Sequence, residues 1–474
     1  MPEFDSITLS LFASRISAVC DEMGAVLQRA SFSPNIRDRL DFSCAVFDAE
    51  GRLSAQAAHI PVHLGSMAYA MAGIVADIEW APGDMVVLNN PFKGGTHLPD
   101  VTLIAPVFAQ DNGQDQLVAF ATNRAHHADI GSDSPGSMPL SSCLQEEGIV
   151  IDPAYLLRAG EVDQVFFDEL MADMRNPHIS RGDFSAQIGA NRLGIERLNG
   201  LIAAHGADEF LRMLSAYNGY ARSLAASALV KIPDGEYAFK DVMDDDGQGN
   251  QDLVIACRIT ASNGKMHVDF SGSADQTAGN INCPISVTAA AVYYAFRCLM
   301  PDTVPGCAGA FMDIDLQVPD GSLLNAQAPA AVAAGNVETS MRVVDVVLGA
   351  LAQALPERIP AAAHGGMNNL AMGWHEGDTP WDYYETMGGG LGAGARYAGL
   401  DAAQAHMTNT LNTPIEVLES VYPLRLRRYA VRTGSGGSGK NRGGDGIERE
   451  IEFLGPARYT LLTERRRHRP WGLN

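Results

Sequence analysis

The first thirty residues carry a helical pattern of apolar positions. Apolar side chains recur at steps of three and four residues from Ile7 to Leu27, and Asp5 and Ser6 stand just before them. Aspartate and serine are favoured at helix N-termini, because their side-chain oxygens accept hydrogen bonds from the free N–H groups of the first turn. The pattern predicts a helix that packs one face on the segments that follow.

From Asp41 onwards the pattern changes to short runs typical of strands. These runs are separated by clusters of Gly, Asn, Asp and Pro, and they read FSCAVFD, DMVVLNN, VTLIAPVFA and QLVAFATN. The helical pattern returns from about residue 160 to residue 230, where Pro233, Asp234 and Gly235 predict a turn. The first half of the chain is therefore predicted to be a sheet-rich region between helices.

The second half mixes both patterns. LVIACRIT and KMHVDF predict strands, residues near 284–300 and 338–355 predict helices, and LRLRRYAVRT and IEREIEFL predict strands divided by a glycine loop. We predict an α+β fold, a mixed multi-domain chain with sheet-rich regions and packed helices. The predicted domains are residues 1–230 and residues 231–474, the second a mixed α/β region with glycine-rich loops.

Composition and charge narrow the range of functions. Asp and Glu number 56 against 34 Lys and Arg, and the net charge of -22 repels nucleic acids and anionic lipids. No run approaches the roughly 18 apolar residues of a membrane span, and the N-terminus lacks a signal-peptide pattern. The seven scattered cysteines include no C-x-x-C pair, which favours buried thiols over a zinc knuckle or disulfides. We predict a cytoplasmic protein that binds neither nucleic acid nor a membrane.

The candidate chemistry lies in GGTHLPD (94–100) and NRAHHADIG (123–131). If VTLIAPVFA and QLVAFATN form a hairpin, the numbers of paired residues sum to roughly 225, which places Asp100 near Ala125 and His97 near Ala128. Histidine and aspartate would then converge from two loops at one end of the hairpin, as a metal site requires. The H-x-x-D spacing alone also arises by chance.

Adjacent residues of a strand point to opposite faces, so only one of His126 and His127 can face such a cluster. Asp41 is a further candidate ligand, or else a turn residue paired with the two arginines before it. His59 and His63 have the H-x-x-x-H spacing of zinc ligands, but Pro61 between them argues against the helix that would align them. We predict that these two are loop or core histidines.

A second set of polar residues lies in HMTNTLNTPIEVLE. His406, Asn409, Asn412 and Glu416 could supply polar groups to a substrate pocket, and the glycines of GGGLGAGA would allow close approach of the backbone. Alternatively, the segment is a loop whose polar side chains bond one another.

The stretch GSGGSGKN (434–441) nearly matches the phosphate-binding P-loop, G-x-x-x-x-G-K followed by Ser or Thr. A P-loop needs a helix immediately after it, because the helix N-terminus faces the phosphates. Here further glycines and a strand pattern follow, and Asn441 stands in place of the hydroxyl residue. The stretch therefore predicts a mobile glycine loop between strands and no ATP site in this chain.

Long motifs in order through nearly the whole chain resemble the hydantoinase B/oxoprolinase family. The motifs are SFSPNIRDRLDFSCAVFDAEGRLSAQAAHIPVHLGSM, GDMVVLNNPFKGGTHLPDVTLIAPVF, RAHHADIGSDSPGSMP, VDFSGSADQTAGNINCPISVTAAAVYYAFRCL, AAVAAGNVETSMRVVDVVLGAL and HMTNTLNTPIEVLE. The family includes B subunits of ATP-dependent hydantoinases and lactamases, the C-terminal half of 5-oxoprolinase, and subunits of acetone and acetophenone carboxylases. Its members usually continue beyond a segment like RRRHRPWGLN, so the resemblance predicts a chain truncated at its C-terminus.

The resemblance implies a catalytic B subunit of an ATP-dependent amidohydrolase in a hetero-oligomer. A hydantoinase A-type ATPase partner would phosphorylate a cyclic amide, such as hydantoin, 5-oxoproline or a lactam, and this chain would open the ring with a metal-activated water. A carboxylase subunit of the acetone or acetophenone type and a non-catalytic assembly subunit are the alternatives.

The family's site residues fall on matching positions of this chain. The resemblance implies a divalent ion, Zn, Mn or Fe, on His97 and Asp100, on His126 or His127, and on Asp41. Asp129 could take the proton from the attacking water, or could cap a turn. ATP would be used by the partner subunit.

Overall fold

A computed structural model describes residues 4–57, 60–111, 113–376 and 380–473. A π-helical turn, Gly335–Thr339, runs directly into one of the α-helices. The α-helices of the described residues are α1 (Ser6–Ala30), α2 (Pro34–Arg37), α3 (Pro61–Ala76), α4 (Gln164–Ala172), α5 (Pro177–His205), α6 (Ala207–Leu229), α7 (Ile285–Arg297), α8 (Ser340–Ala354) and α9 (Ile415–Val421).

The strands form four sheets. Those of the first half are β1 (Phe42–Asp48), β2 (Leu53–Gln56), β3 (Met85–Leu88), β4 (Asp100–Asp111), β5 (Gln114–His126), β6 (Ala154–Arg158) and β7 (Glu161–Val162). Those of the second half are β8 (Gly235–Asp245), β9 (Gln251–Ser262), β10 (Lys265–Asp269), β11 (Ile314–Gln317), β12 (Asn369–Trp374), β13 (Trp381–Glu385), β14 (Leu424–Arg432), β15 (Gly446–Phe453) and β16 (Arg458–Leu462). The strand orders are β2-β1-β5-β4-β3-β6-β7, β11-β10-β9-β8, β13-β12-β16 and β14-β15.

The seven-stranded sheet is covered on both faces, which explains why its central strands are apolar throughout. On one face, side chains of β1 and β5 pack against α1, α5 and α6. On the other face, Met67 and Met71 of α3 pack against Phe47 and Phe120. Every residue of β1 is buried, as expected for a strand between two helical layers.

Helix α3 also joins the first half of the chain to the second, because it packs along α7. The two helices approach so closely that a Cβ added at Gly65 would lie 2.6 Å from the Cα of Ala290. Beyond this contact, α7 packs on α8, and α8 packs on the sheet that contains β8 and β9. The boundary that we placed at residue 230 falls in the turn between α6 and β8.

The predicted α+β fold class is confirmed, with helices and several sheets interleaved along the chain. The predicted first helix is α1, and Asp5 is its N-cap, with Oδ1 accepting a hydrogen bond from the N–H of Thr8 at 2.7 Å. Within the described residues, every helix is too short or too polar to cross a lipid bilayer.

Candidate metal centre

The predicted hairpin of β4 and β5 is present, and it places the candidate ligands at one end. Asp100 pairs with His126, and Val101 pairs with Ala125. The sequence prediction places Asp100 opposite Ala125, one residue away. A register shift between Val107 and the next residue accounts for the difference, because it changes the sum of paired numbers along the hairpin.

Three side chains meet at this end of the hairpin. The Nε2 atom of His97 and the Nδ1 atom of His126 each lie 3.2 Å from Oδ1 of Asp100. Among the described residues, this is the one group of three or more His, Cys, Asp or Glu whose ligand atoms all lie within 4.8 Å of one another. All three side chains are buried. Ligand atoms bound to one ion at about 2.1 Å are themselves about 3 Å apart, so the spacing fits a metal.

The electrostatics favour an ionised carboxylate among imidazoles. Burial raises the pKa of Asp100, but the adjacent His97 and His63 outweigh burial and hold the pKa well below its usual range. Burial lowers the pKa of His126 below its usual value, although the hydrogen bond to Asp100 opposes this shift. An ionised Asp100 beside a neutral His126 is the protonation state that binds a divalent ion.

Residues of the second half hold these side chains in place. The Nδ1 atom of His97 lies 3.3 Å from the carbonyl oxygen of Ala333. Because that oxygen can only accept, Nδ1 carries the proton and the Nε2 lone pair faces Asp100. The Nδ2 atom of Asn336, on the π-helical turn, lies 3.4 Å from Oδ2 of Asp100. The hydroxyl of Thr96 donates to the same oxygen at 2.6 Å.

His63 is buried beside the cluster, so the prediction that it is an ordinary loop or core residue was incomplete. Its Nε2 atom lies 3.2 Å from Oδ2 of Asp100 and 3.9 Å from Oδ1 of Asp41. Pro61 does not prevent a helix here, because α3 begins at Pro61 itself. Proline is favoured in the first turn of a helix, where its missing N–H has no partner to lose. His59 lies outside the described residues.

Asp41 lies at the edge of the cluster. Its backbone carbonyl accepts a hydrogen bond from the N–H of His126 at 3.0 Å, which fixes it next to β5. Its Oδ2 atom lies 3.8 Å from Nη1 of Arg39. Asp41 is thus close to both of its predicted partners, the metal cluster and an arginine, and its role as a ligand stays a prediction.

His126 and His127 point to opposite sides of the sheet, as the strand pattern predicted. His127 faces α5, where its Nε2 atom lies 2.9 Å from Oε1 of Gln187. Its ring packs against that of Phe184, with the ring centroids 4.6 Å apart. His126 is therefore the histidine of this pair that faces Asp100.

Asp129, the candidate base, is bonded into the loop that follows β5. Its Oδ1 atom accepts from the N–H of Gly131 and its Oδ2 atom accepts from the N–H of Asn176, both at 2.8 Å. Burial raises the pKa of Asp129, and these bonds oppose the rise. The contacts favour the turn-capping role that the sequence also allowed, and the role of proton acceptor stays a prediction.

The candidate substrate-binding residues are spread over a wider area than the sequence suggested. The Nε2 atom of His406 lies 3.4 Å from Oδ1 of Asp345 on α8. Asn412 donates to the carbonyl oxygen of Thr386 at 3.0 Å, and Glu416 is exposed in the first turn of α9. Asn409 lies in the same segment, between His406 and Asn412. Substrate binding by these residues stays a prediction.

The stretch GSGGSGKN is a loop between two antiparallel strands, as predicted, since Arg432 of β14 pairs with Gly446 of β15. Two of its backbone N–H groups already have an acceptor within the chain, because Gly434 and Gly436 donate to the carboxylate of Asp445 at 3.0 and 2.7 Å. A strand follows the loop where a P-loop requires a helix.

The fold and the buried cluster thus define a mixed α+β protein with a candidate metal centre between its two halves. The chain belongs to the hydantoinase B/oxoprolinase family, whose model matches residues 5–474. It is 38% identical over 501 residues to 5-oxoprolinase 1 of Arabidopsis thaliana, and the match covers 99% of this chain but only 38% of that protein. The chain therefore spans little more than a third of that relative.

Two bacterial proteins match over most of their length. A chain described as the B-type component of a D-/L-hydantoinase in Pseudomonas sp. is 31% identical over 493 residues, covering 100% of this chain and 82% of that one. The crystal structure of the ATP-dependent caprolactamase from Pseudomonas jessenii superposes with a TM-score of 0.88 and 28% identity, covering 96% of this chain and 79% of that one.

Proposed function

We propose that this chain is the ring-opening subunit of an ATP-dependent cyclic-amide hydrolase. The observation that carries the proposal is the buried group of His97, Asp100 and His126, which can hold a divalent ion. The relatives support the substrate class, because a 5-oxoprolinase, a hydantoinase subunit and a caprolactamase all carry cyclic-amide names. The hydantoinase relative is named as one subunit of its enzyme, which supports a partner that we propose to be an A-type ATPase.

The donor set fits a divalent ion such as Zn, Mn or Fe. His97, Asp100 and His126 would hold it, with His63 and Asp41 close enough to complete or adjust the coordination. Two imidazoles and a carboxylate suit these ions. When bound, such an ion lowers the pKa of a water molecule and so supplies a nucleophile near neutral pH.

The residues of the chain orient the reaction and exclude bulk water. Asp100 stays ionised, the carbonyl of Ala333 fixes the tautomer of His97, and burial lowers the dielectric constant around all three ligands. Attack on the phosphorylated amide carbon breaks its bond to the phosphorylated oxygen, and phosphate leaves. ATP makes the step possible, because phosphate is a far better leaving group than the original oxygen.

The first test is reconstitution. The purified chain, mixed with its A-type partner, ATP and either 5-oxoproline, hydantoin or caprolactam, is expected to open one of the rings with matching ATP consumption. A chelator added before ATP should stop ring opening, and omission of either subunit should stop it too. Failure across the whole panel with both subunits folded would contradict the proposal. Bicarbonate-dependent consumption of a ketone would instead assign a carboxylase, and unchanged turnover in His97→Ala would assign an assembly role.

A second prediction concerns the glycine loop. Lys440→Ala is expected to leave ATP consumption by the complex within about twofold of wild type, because Lys440 is exposed and a strand follows its loop in place of the helix that a phosphate site needs. The isolated chain should lack ATPase activity. Colorimetric phosphate release measures both quantities. Strong hydrolysis by the isolated chain, lost in Lys440→Ala, would place an ATP site here after all.

A further inference from the structure

Tyr384 touches the candidate metal centre from the second half of the chain. It lies on β13 and is buried. Its ring stacks on the imidazole of His126, with ring centroids 4.7 Å apart and planes only 11° from parallel. The guanidinium carbon of Arg39 lies over the same tyrosine ring, 5.0 Å from its centroid.

The tyrosine ring is itself fixed at its far end. Its hydroxyl donates to Oδ1 of Asn369 at 2.6 Å, and Nδ2 of Asn369 donates to Oε1 of Glu338 at 2.8 Å. Glu338 is wholly buried on the π-helical turn, where its Oε1 atom also accepts from two backbone N–H groups, those of Met367 and Asn368, at 3.0 and 3.1 Å. A chain of hydrogen bonds therefore anchors the phenol to a rigid element.

Stacking in this geometry constrains the plane of the imidazole. A histidine ring turns about the bond that joins it to Cβ, and that torsion is broad unless neighbours restrict it. The Nδ1 atom of His126 approaches Oδ1 of Asp100 to 3.2 Å at the cluster. A contact of this kind fixes a distance but leaves the ring free to tilt around it, whereas a parallel ring on its face removes the tilt.

We propose that Tyr384 is a positioning residue for His126, and that the Asn369–Glu338 chain holds Tyr384 in place for that purpose. This inference rests on the proposed function, in that His126 must be a metal ligand. Partners that orient a ligand from outside the coordination shell typically change metal affinity by about 10- to 100-fold when removed.

The test uses Co²⁺ binding by the purified full chain, followed by the visible absorption of the bound ion. Tyr384→Leu removes the stacked ring, and it is expected to weaken Co²⁺ binding by about 10- to 100-fold and to shift the absorption bands. Tyr384→Phe keeps the ring and loses only the anchor, so a weakening near the lower end of that range, about tenfold, is expected. The Phe variant preserves core packing and keeps the test usable if the Leu variant does not fold.

The neighbouring Tyr383 is a matched control. It is equally buried on the same strand, but its hydroxyl bonds to Glu385 and its ring packs against Tyr422. Tyr383→Leu should lower stability and leave the affinity and spectrum of bound Co²⁺ unchanged. Equal losses of affinity in Tyr383→Leu and Tyr384→Leu, or no change in Tyr384→Phe and Tyr384→Leu, would overturn the positioning role alone. Absence of Co²⁺ binding by the wild-type chain would overturn the metal centre and this inference with it.

Discussion

Asp100→Asn is expected to abolish stoichiometric binding of a divalent metal and to lower ring opening by about 1,000-fold or more, since a bound ion contributes several kcal/mol to transition-state stabilisation. Asp100 is the carboxylate on which His63, His97 and His126 converge. A neutral amide keeps the shape of the side chain and removes the charge that attracts the ion. Metal analysis of the purified protein and turnover of the reconstituted complex measure the two effects.

Asp48→Asn is the matched control for this substitution. Asp48 is also buried in the seven-stranded sheet, at the end of β1 remote from Asp41, where it accepts hydrogen bonds from Arg52. The Asp48→Asn protein should keep its metal and its turnover even if it loses some stability. One equivalent of metal and full activity in Asp100→Asn would rule out the centre described above.

The second large effect is expected for Arg39→Ala, which should lower the free energy of unfolding by about 3–5 kcal/mol, the cost of breaking a buried charged contact. The guanidinium is fully buried and donates to the carbonyl oxygens of Tyr384 at 2.8 Å and Leu411 at 3.3 Å. It also donates to the hydroxyls of Thr386 and Thr410. Alanine would leave these acceptors without a donor in a dry environment.

Urea unfolding followed by fluorescence measures the loss, and Arg37→Ala is the control. Arg37 is only two residues away, but its side chain is 40% exposed and it pairs with the adjacent Asp38. Surface pairs of this kind contribute roughly 0–1 kcal/mol. Equal destabilisation by the two substitutions would show that the buried contacts of Arg39 add nothing.

Local sequence signals predicted the parts of the centre that lie on one hairpin. The hydrophobic runs on either side of residues 111–113 predicted the pairing of β4 with β5 to within one residue, and alternation predicted opposite faces for His126 and His127. Both inferences depend only on strand geometry, which acts between residues close in the chain. The N-cap at Asp5 was predictable for the same reason.

The remaining contacts could not be predicted from spacing, because they depend on how distant elements pack. Asn336 and Ala333 reach the cluster from 236 residues away in the chain. Nothing in the pattern around Tyr384 indicates that its ring will lie on a histidine of another sheet. His63 had a local signal, the zinc-like spacing, but a proline that would break the interior of a helix is favourable at a helix start, and Pro61 lies at a start.

The division of the centre between the two halves has a consequence for biosynthesis. The ligands His97, Asp100 and His126 leave the ribosome early, and about 260 residues separate His126 from Tyr384. At typical translation rates this interval lasts roughly 13 to 50 seconds. During that time the nascent chain presents its metal-binding side chains without the aromatic ring and the π-helical turn that enclose them. Selection of the correct ion therefore belongs to the finished fold, after the last strands have docked, and not to the first ion that the emerging chain encounters.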